Sequence, residues 1–285
     1  MRHIGNIIIA VFITIFLFVA GISFWYHGDI LNGTQFTRSF TEGLLSEDSK
    51  EAIASKIIDS SLSNRPVIKA SVGTTGKSAV YTLLSSNAFQ SEFDTLVGNI
   101  HKRMVTPSDP SIGINIIPLK EYVLPLIRLV RPDLINNLNI SELPDRVVLI
   151  PDKYIPKLYQ FTPIIFWTGI ISGLLALIAT GFFFHRIQKG WYALLVLGLT
   201  LTIASLSVIA FTLVAPDALV RTIKDENVQI ILQSVITVFI KSYRLQLYVF
   251  LASGIALSLA GYISLVIQAP KPGKSTRKHK KQSKK

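Results

Sequence analysis

The chain contains no cysteine. That excludes a disulfide framework and any thiolate metal site, so packing alone must hold whatever folds. Charge is also scarce: Asp, Glu, Lys and Arg make up 16% of the residues, against roughly 25% in soluble domains. Four stretches lack Asp, Glu, Lys, Arg and His altogether: Ile7 to Tyr26, Pro163 to Phe184, Trp191 to Ala215 and Leu245 to Ile267. At about 1.5 Å per residue each is long enough to cross a hydrocarbon core about 30 Å thick. The sequence therefore predicts a mainly α membrane protein with four transmembrane helices. No sizeable soluble domain fits except between the first two spans, at residues 27–162.

What is present supports that reading. Aromatic residues sit at the span ends, where amphipathic rings prefer the headgroup layer: Phe24, Trp25 and Tyr26, then Trp167, Trp191, Tyr192, Tyr243 and Tyr248. The first apolar run is longer than the ~7–15 residues of a signal-peptide core, and bulky rings stand where a cleavage site needs small residues. It reads as an uncleaved anchor.

The basic residues are unevenly placed. Arg2, then Arg186 and Lys189 in the turn 185–190, then Lys271, Lys274, Arg277, Lys278, Lys280, Lys281, Lys284 and Lys285 in the tail 268–285 carry no acid among them. Residues 27–162 balance 14 basic against 14 acidic side chains, and residues 216–244 carry 4 against 3. The positive-inside rule then places residues 1–6, the turn and the tail in the cytoplasm and residues 27–162 outside the plasma membrane. The net charge of +12 is thereby a topology signal. The tail lacks the aromatic residues that stack on bases, which argues against nucleic acid. Its natural partner is the anionic headgroups of the inner leaflet.

The extracytoplasmic segment reads as mainly helical with a minor β element. Ala52, Ile53, Ile57 and Ile58 form a stripe over Ser46 to Ser60, with Glu47, Asp48 and Glu51 in the first turn. Ser86 or Asn87 caps a second helix through Val105, burying Phe89, Phe93, Leu96, Val97 and Ile100. A third helix is expected from Leu119 to Val130, ended by Pro132. The apolar runs Ile112 to Ile117 and Arg146 to Ile150 read as strands able to pair. Residues 216–244 hold Leu219, Val220, Ile223, Ile231, Val235 and Phe239 at helical spacing. They read as an amphipathic helix on the membrane or against the outer domain, or as a re-entrant segment.

Few motifs carry chemistry. Ser71 to Ser78 (SVGTTGKS) resembles the phosphate loop of the peptidoglycan Mur ligases, yet the first glycine of the general pattern is Ser71 and the loop lies on the side where nucleotide is scarce. The plain reading is a helix break containing glycine. His101 is a lone histidine, and no His, Asp and Glu group has metal-ligand spacing. No cofactor is expected. Small residues suggest close helix contacts at Gly169 and Gly173 in span two and at Ala252, Ala256 and Ala260 in span four.

From Phe89 onward the chain resembles a family of uncharacterised, mostly actinobacterial integral membrane proteins. In that family a helix carries Phe, an aromatic four residues on and His twelve on, then come a short apolar run, a helix, an arginine-led strand and three closing spans. Those places hold Phe89, Phe93, His101, Ile114 to Leu119, the helix to Val130 and Arg146 to Leu149. The family's usual Trp and Asn are Phe93 and Val97 here. The resemblance implies four spans with a helical extracytoplasmic domain, and no known activity.

Buried ionisable groups, the mark of ion or polar-solute pathways, are missing from the spans, and no nucleophile and base can be matched. The expectation is a non-enzymatic envelope protein whose extracytoplasmic domain binds a partner or ligand. A transporter or channel component and an extracytoplasmic enzyme are the alternatives.

The cysteine-free background makes the orientation testable. In intact cells, Ser60→Cys should react with an impermeant thiol reagent and Ser283→Cys should not; labelling at position 283 would reverse the topology.

Overall fold

A computed structural model describes residues 2–63, 66–108, 112–117, 121, 144–187 and 189–268. The basic tail, and all but Glu121 of the helix expected from Leu119 to Val130, lie outside the described residues. The described chain is mostly helical. Its elements are α1 (Arg2–Trp25), α2 (Gly33–Leu44), α3 (Glu47–Ser61), α4 (Pro66–Leu84), α5 (Asn87–Val105), β1 (Ile114–Asn115), β2 (Arg146–Val147), α6 (Thr162–Arg186), α7 (Gly190–Val220) and α8 (Glu226–Gln268). Four helices are long and apolar enough to cross a membrane: α1 with its extension to Ile30, α6, α7 and α8.

Local chemistry sets the helix starts. Asn32, which as part of Asn-Gly-Thr matches a glycosylation pattern, is the N-cap of α2, its Oδ1 accepting from the amides of Thr34 (3.1 Å) and Gln35 (3.3 Å). Ser46 caps α3 through the Ser49 amide at 3.4 Å, with Glu47 and Asp48 in the first turn. The Glu47 carboxylate is held below the ordinary range, chiefly by its bond from the Lys50 ammonium and then by the Tyr81 hydroxyl of α4. Pro66 opens α4 where its missing N–H has no partner to lose. The strands pair antiparallel, Ile114 opposite Val147 and Asn115 opposite Arg146.

Two sequence expectations are corrected. The phosphate-loop-like segment is neither loop nor break: Gly73 to Ser78 lie inside the uninterrupted α4, so their amides serve helix hydrogen bonds and cannot cradle an anion. The amphipathic stretch of residues 216–244 does pack against the domain between the first two long helices, one of its two expected positions, but it is neither a separate helix nor a re-entrant turn. α7 carries on through Pro216 to Val220, and after a five-residue turn α8 runs unbroken from Glu226 to Gln268, 43 residues. At 1.5 Å per residue that is about 65 Å, roughly twice a hydrocarbon core. Its amino-terminal half supplies Ile231, Val235 and Phe239 to the same core as Phe36, Ile53, Ile57, Leu84, Phe89, Phe93, Ile114 and Leu149. The head formed by α2 to α5 and the β pair is therefore built around one end of a long apolar helix.

Small residues do set the close helix approaches, but not all of those expected. A Cβ at Gly169 would fall 2.4 Å from the Ser23 Cβ of α1, whereas one at Gly173 would sit 4.0 Å from that of Ala20. Ala252, Ala256 and Ala260 are on the exposed face of α8. The contact stripe is the buried Gly254 and Gly261 with the half-buried Ser258 between them: a Cβ at Gly198 would fall 2.4 Å from the Ser258 amide nitrogen, one at Gly254 would fall 2.8 Å from the Thr202 nitrogen, and one at Gly261 would fall 2.7 Å from the Leu195 nitrogen. Backbones of α7 and α8 touch here, and only glycine permits it.

Pro216 poses a local problem inside α7, since it has no N–H for the Thr212 carbonyl four residues back. Arg244 of α8 solves it: Nη2 donates to the Thr212 carbonyl oxygen at 2.7 Å and Nε to Thr212 Oγ1 at 3.1 Å. Thr212 Oγ1 in turn donates to the Ile209 carbonyl at 2.7 Å.

Two predictions follow from these contacts, both read by thermal unfolding of the purified full chain in detergent. Gly198→Ala and Gly254→Ala should each destabilise by about 1–3 kcal/mol through overpacking, despite the ~1 kcal/mol that alanine gains in helix propensity. Ala256→Leu should stay within about 0.5 kcal/mol, and equal losses at both kinds of site would count against this interface. Arg244→Met should lose about 1–3 kcal/mol by leaving a buried carbonyl unpaired. Most of that loss should vanish in a Pro216→Ala background, where residue 216 donates instead; strictly additive effects would sink the account.

Candidate functional site

The residues singled out by sequence do not converge on one site. Phe89 and Phe93 are fully buried in the head core, rings 6.3 Å apart. His101 turns toward the end of α1, its Nε2 donating to the Ile30 carbonyl oxygen at 3.1 Å. A carbonyl only accepts, so this bond selects the Nε2–H tautomer. The ring also lies 4.8 Å from that of Phe36 and beside Gly33. His101 is a fastener between α5 and the turn that follows α1. Arg146 is exposed on β2, with its backbone in the strand pair opposite Asn115. Among the described residues no group of three His, Cys, Asp or Glu could hold a metal ion.

Among the described residues, three concavities stand out. A groove of about 800 Å³ between α3 and α4 is lined by Glu51, Asp59, Lys69, Gly73, Thr74, Lys77 and Ser78. Asp59 and Lys69 pair across it at 3.0 Å. A second groove of about 740 Å³ runs between α3 and α8, sharing Glu51, Asp59 and Lys77 with the first. Both carry charges of each sign and present no set of donors or acceptors aimed at one point.

The third is different in kind. A cavity of about 540 Å³ lies where the head meets the ends of α1 and α7 and the first half of α8. Trp25, Tyr26 and Ile30 at the end of α1 form one wall, and Phe36 and Phe40 of α2 with Ile100 and Met104 of α5 form the next. The segment 150–158 contributes Tyr154, Ile155, Pro156 and Leu158, and α8 contributes Leu232, Val235, Ile236, Phe239 and Ile240. Leu219, Val220, Thr222 and Ile223 close it at the end of α7. No lining residue is charged. Tyr26 spends its hydroxyl on Thr162 Oγ1 at 3.1 Å.

The sequence supplied reasons for each wall separately. The chain between Trp25 and Asn32 does not leave the helix cleanly: Leu31 N bonds back to the Tyr26 carbonyl at 3.0 Å, a π turn that carries Tyr26 and Ile30 to the cavity. Ser242 Oγ donates to Asp29 Oδ1 at 2.7 Å, and the Trp25 and Tyr243 rings lie 5.4 Å apart, tying that turn to α8. On the other side, a Cβ at Gly43 would fall 2.6 Å from the Val235 Cα, so α2 and α8 touch backbone to backbone at that point. Where α2 carries Phe36 and Phe40, their rings and that of Phe239 intervene, 5.3 to 6.5 Å apart.

The start of α8 is anchored from the head. Asp225 Oδ1 accepts from the Val228 amide at 3.1 Å and Oδ2 from the Lys56 ammonium of α3. Burial works against the Asp225 carboxylate, but Lys56 and the amides of Val228 and Asn227 outweigh it and hold its pKa below the ordinary value. The apolar cavity was missed from sequence because its lining is drawn from six separate segments, each of which reads as ordinary core. Comparisons with known protein families, with curated proteins and with solved structures each return no match for this chain.

Proposed function

We propose that this is a non-enzymatic integral membrane protein of the cell envelope, with both termini in the cytoplasm and a helical domain outside the plasma membrane that binds an apolar ligand in the cavity at its base. The cavity itself is the observation that carries this reading. Its volume of about 540 Å³ falls in the ~300–1,000 Å³ range of small-molecule sites. Its walls are apolar and it opens to the outside, so water held there finds few hydrogen-bond partners. An occupant with apolar surface would displace that water favourably.

Orientation in this proposal rests on the distribution of Lys and Arg, and the absence of ionisable residues from the apolar cores of the spans supports binding over conduction. The side chain best placed to test it is Ile236, half-buried and lining the cavity. Native mass spectrometry of the full chain released from detergent micelles should retain an apolar species on the wild-type protein, at one copy per chain. Ile236→Trp, which fills the space, should lower that retention at least about tenfold while leaving the protein folded. Equal retention by both proteins would remove the cavity as the site.

A further inference from the structure

Building on the reading of the cavity as an apolar site, we infer that its occupant is one acyl chain of an anionic membrane lipid, with the lipid headgroup held at a basic rim. Two observations, independent of the cavity's volume, carry this.

The first is the route in. Leu219 lines the cavity and is 62% exposed. Elsewhere on α7, Ile203, Leu206, Phe211, Leu213 and Val214 are exposed on another side of the helix. A chain lying in hydrocarbon beside the end of α7 meets the cavity at the exposed Leu219. A ligand arriving from solution would instead have to be extracted from water first.

The second is charge. The two segments that form the mouth are each bracketed by exposed cations: Lys153 and Lys157 flank Tyr154, Ile155 and Pro156, while Arg221 and Lys224 flank Thr222 and Ile223. Lys153 lies 4.8 Å over the Tyr154 ring. Among the described residues, Lys157, Arg221 and Lys224 are in no ion pair. Of the acids close by, Asp152 pairs with Arg103 at 2.6 Å and Asp225 with Lys56, while Asp217 accepts from the neutral Gln233 Nε2 at 2.7 Å and Glu226 is exposed beside Asp225; the four cations outnumber these last two acids. Cations beside spans on the outer side run against the positive-inside bias, and an anionic headgroup above an apolar slot gives them a partner. A rim of this kind confers a preference for anionic over zwitterionic headgroups that weakens as salt rises.

The test uses the full chain in detergent with two probes of one chain length, palmitoyl lysophosphatidylglycerol and palmitoyl lysophosphatidylcholine, and with glycerol phosphate as a headgroup lacking a chain. Retention is read by native mass spectrometry, and folding of each variant by circular dichroism. Wild type should bind the anionic probe at least about tenfold more tightly than the zwitterionic one, and glycerol phosphate should not compete. The Arg221→Glu, Lys224→Glu pair, extended to Lys153→Glu and Lys157→Glu, should abolish the preference while the zwitterionic probe still binds. Ile236→Trp should remove both probes. Binding of both probes that Ile236→Trp leaves intact would overturn the underlying cavity reading. Binding that Ile236→Trp blocks, but with no headgroup preference in wild type or with a preference that survives all four charge reversals, would overturn the anionic-lipid inference alone.

Discussion

The structure depends on one helix belonging to two cores. α8 is hydrogen-bonded without interruption from Glu226 to Gln268, so its two halves move as a rod. One half is buried against α2 and α3 through Ile231, Val235 and Phe239. The other lies against α7 with Gly198, Gly254 and Gly261 letting the backbones meet. A head attached by flexible linkers could take many orientations on its anchor. This one is fixed to the long apolar helices by a shared, rigid element, which also supplies one wall of the apolar cavity.

Arg244 shows how a charged residue can enter such a helix for reasons of backbone chemistry. Its guanidinium answers the carbonyl that Pro216 orphans in α7 and binds the Thr212 hydroxyl as well. A buried carbonyl left unpaired costs about as much as a lost hydrogen bond, and a charged donor satisfies it strongly. Three features that look independent in the sequence, a proline in a span, a threonine four residues earlier and an arginine at the edge of another span, form one unit. That unit keeps α7 helical through Pro216 to the point where Leu219 and Val220 reach the cavity.

The cavity follows from uneven spacing. α2 touches the α8 backbone at Gly43 and is separated from it by phenyl rings at Phe36, Phe40 and Phe239. The end of α1 is held to α8 by the Asp29 and Ser242 bond and by the Trp25 and Tyr243 rings. Between these fixed points the side chains available, mostly aliphatic, do not fill the space. His101 acts in the same region as a tie between α5 and the Ile30 carbonyl.

Much of the architecture was legible from residues alone. Uncharged runs of about twenty residues can be satisfied in lipid only as helices, so the four long apolar helices were readable, and so was the pairing of the runs near Ile114 and Val147. The helix after Ser86 was readable too, but Ser86 does not cap it through its side chain: its hydroxyl donates to the Leu83 carbonyl instead of accepting from the helix amides. Each of these is a property of a segment, written in its own residues. The tertiary structure alone decided that Gly254 and Gly261 rather than Ala252, Ala256 and Ala260 face a neighbour, that the stretch before Leu245 joins the fourth long helix, that the Gly73 to Ser78 run stays helical, and that an apolar gap is left between head and anchor. Small residues occur on more than one face of a helix, and an amphipathic stripe reads the same whether it meets lipid or a protein core. Which of these meets what depends on residues far apart in the chain, and no local pattern records that.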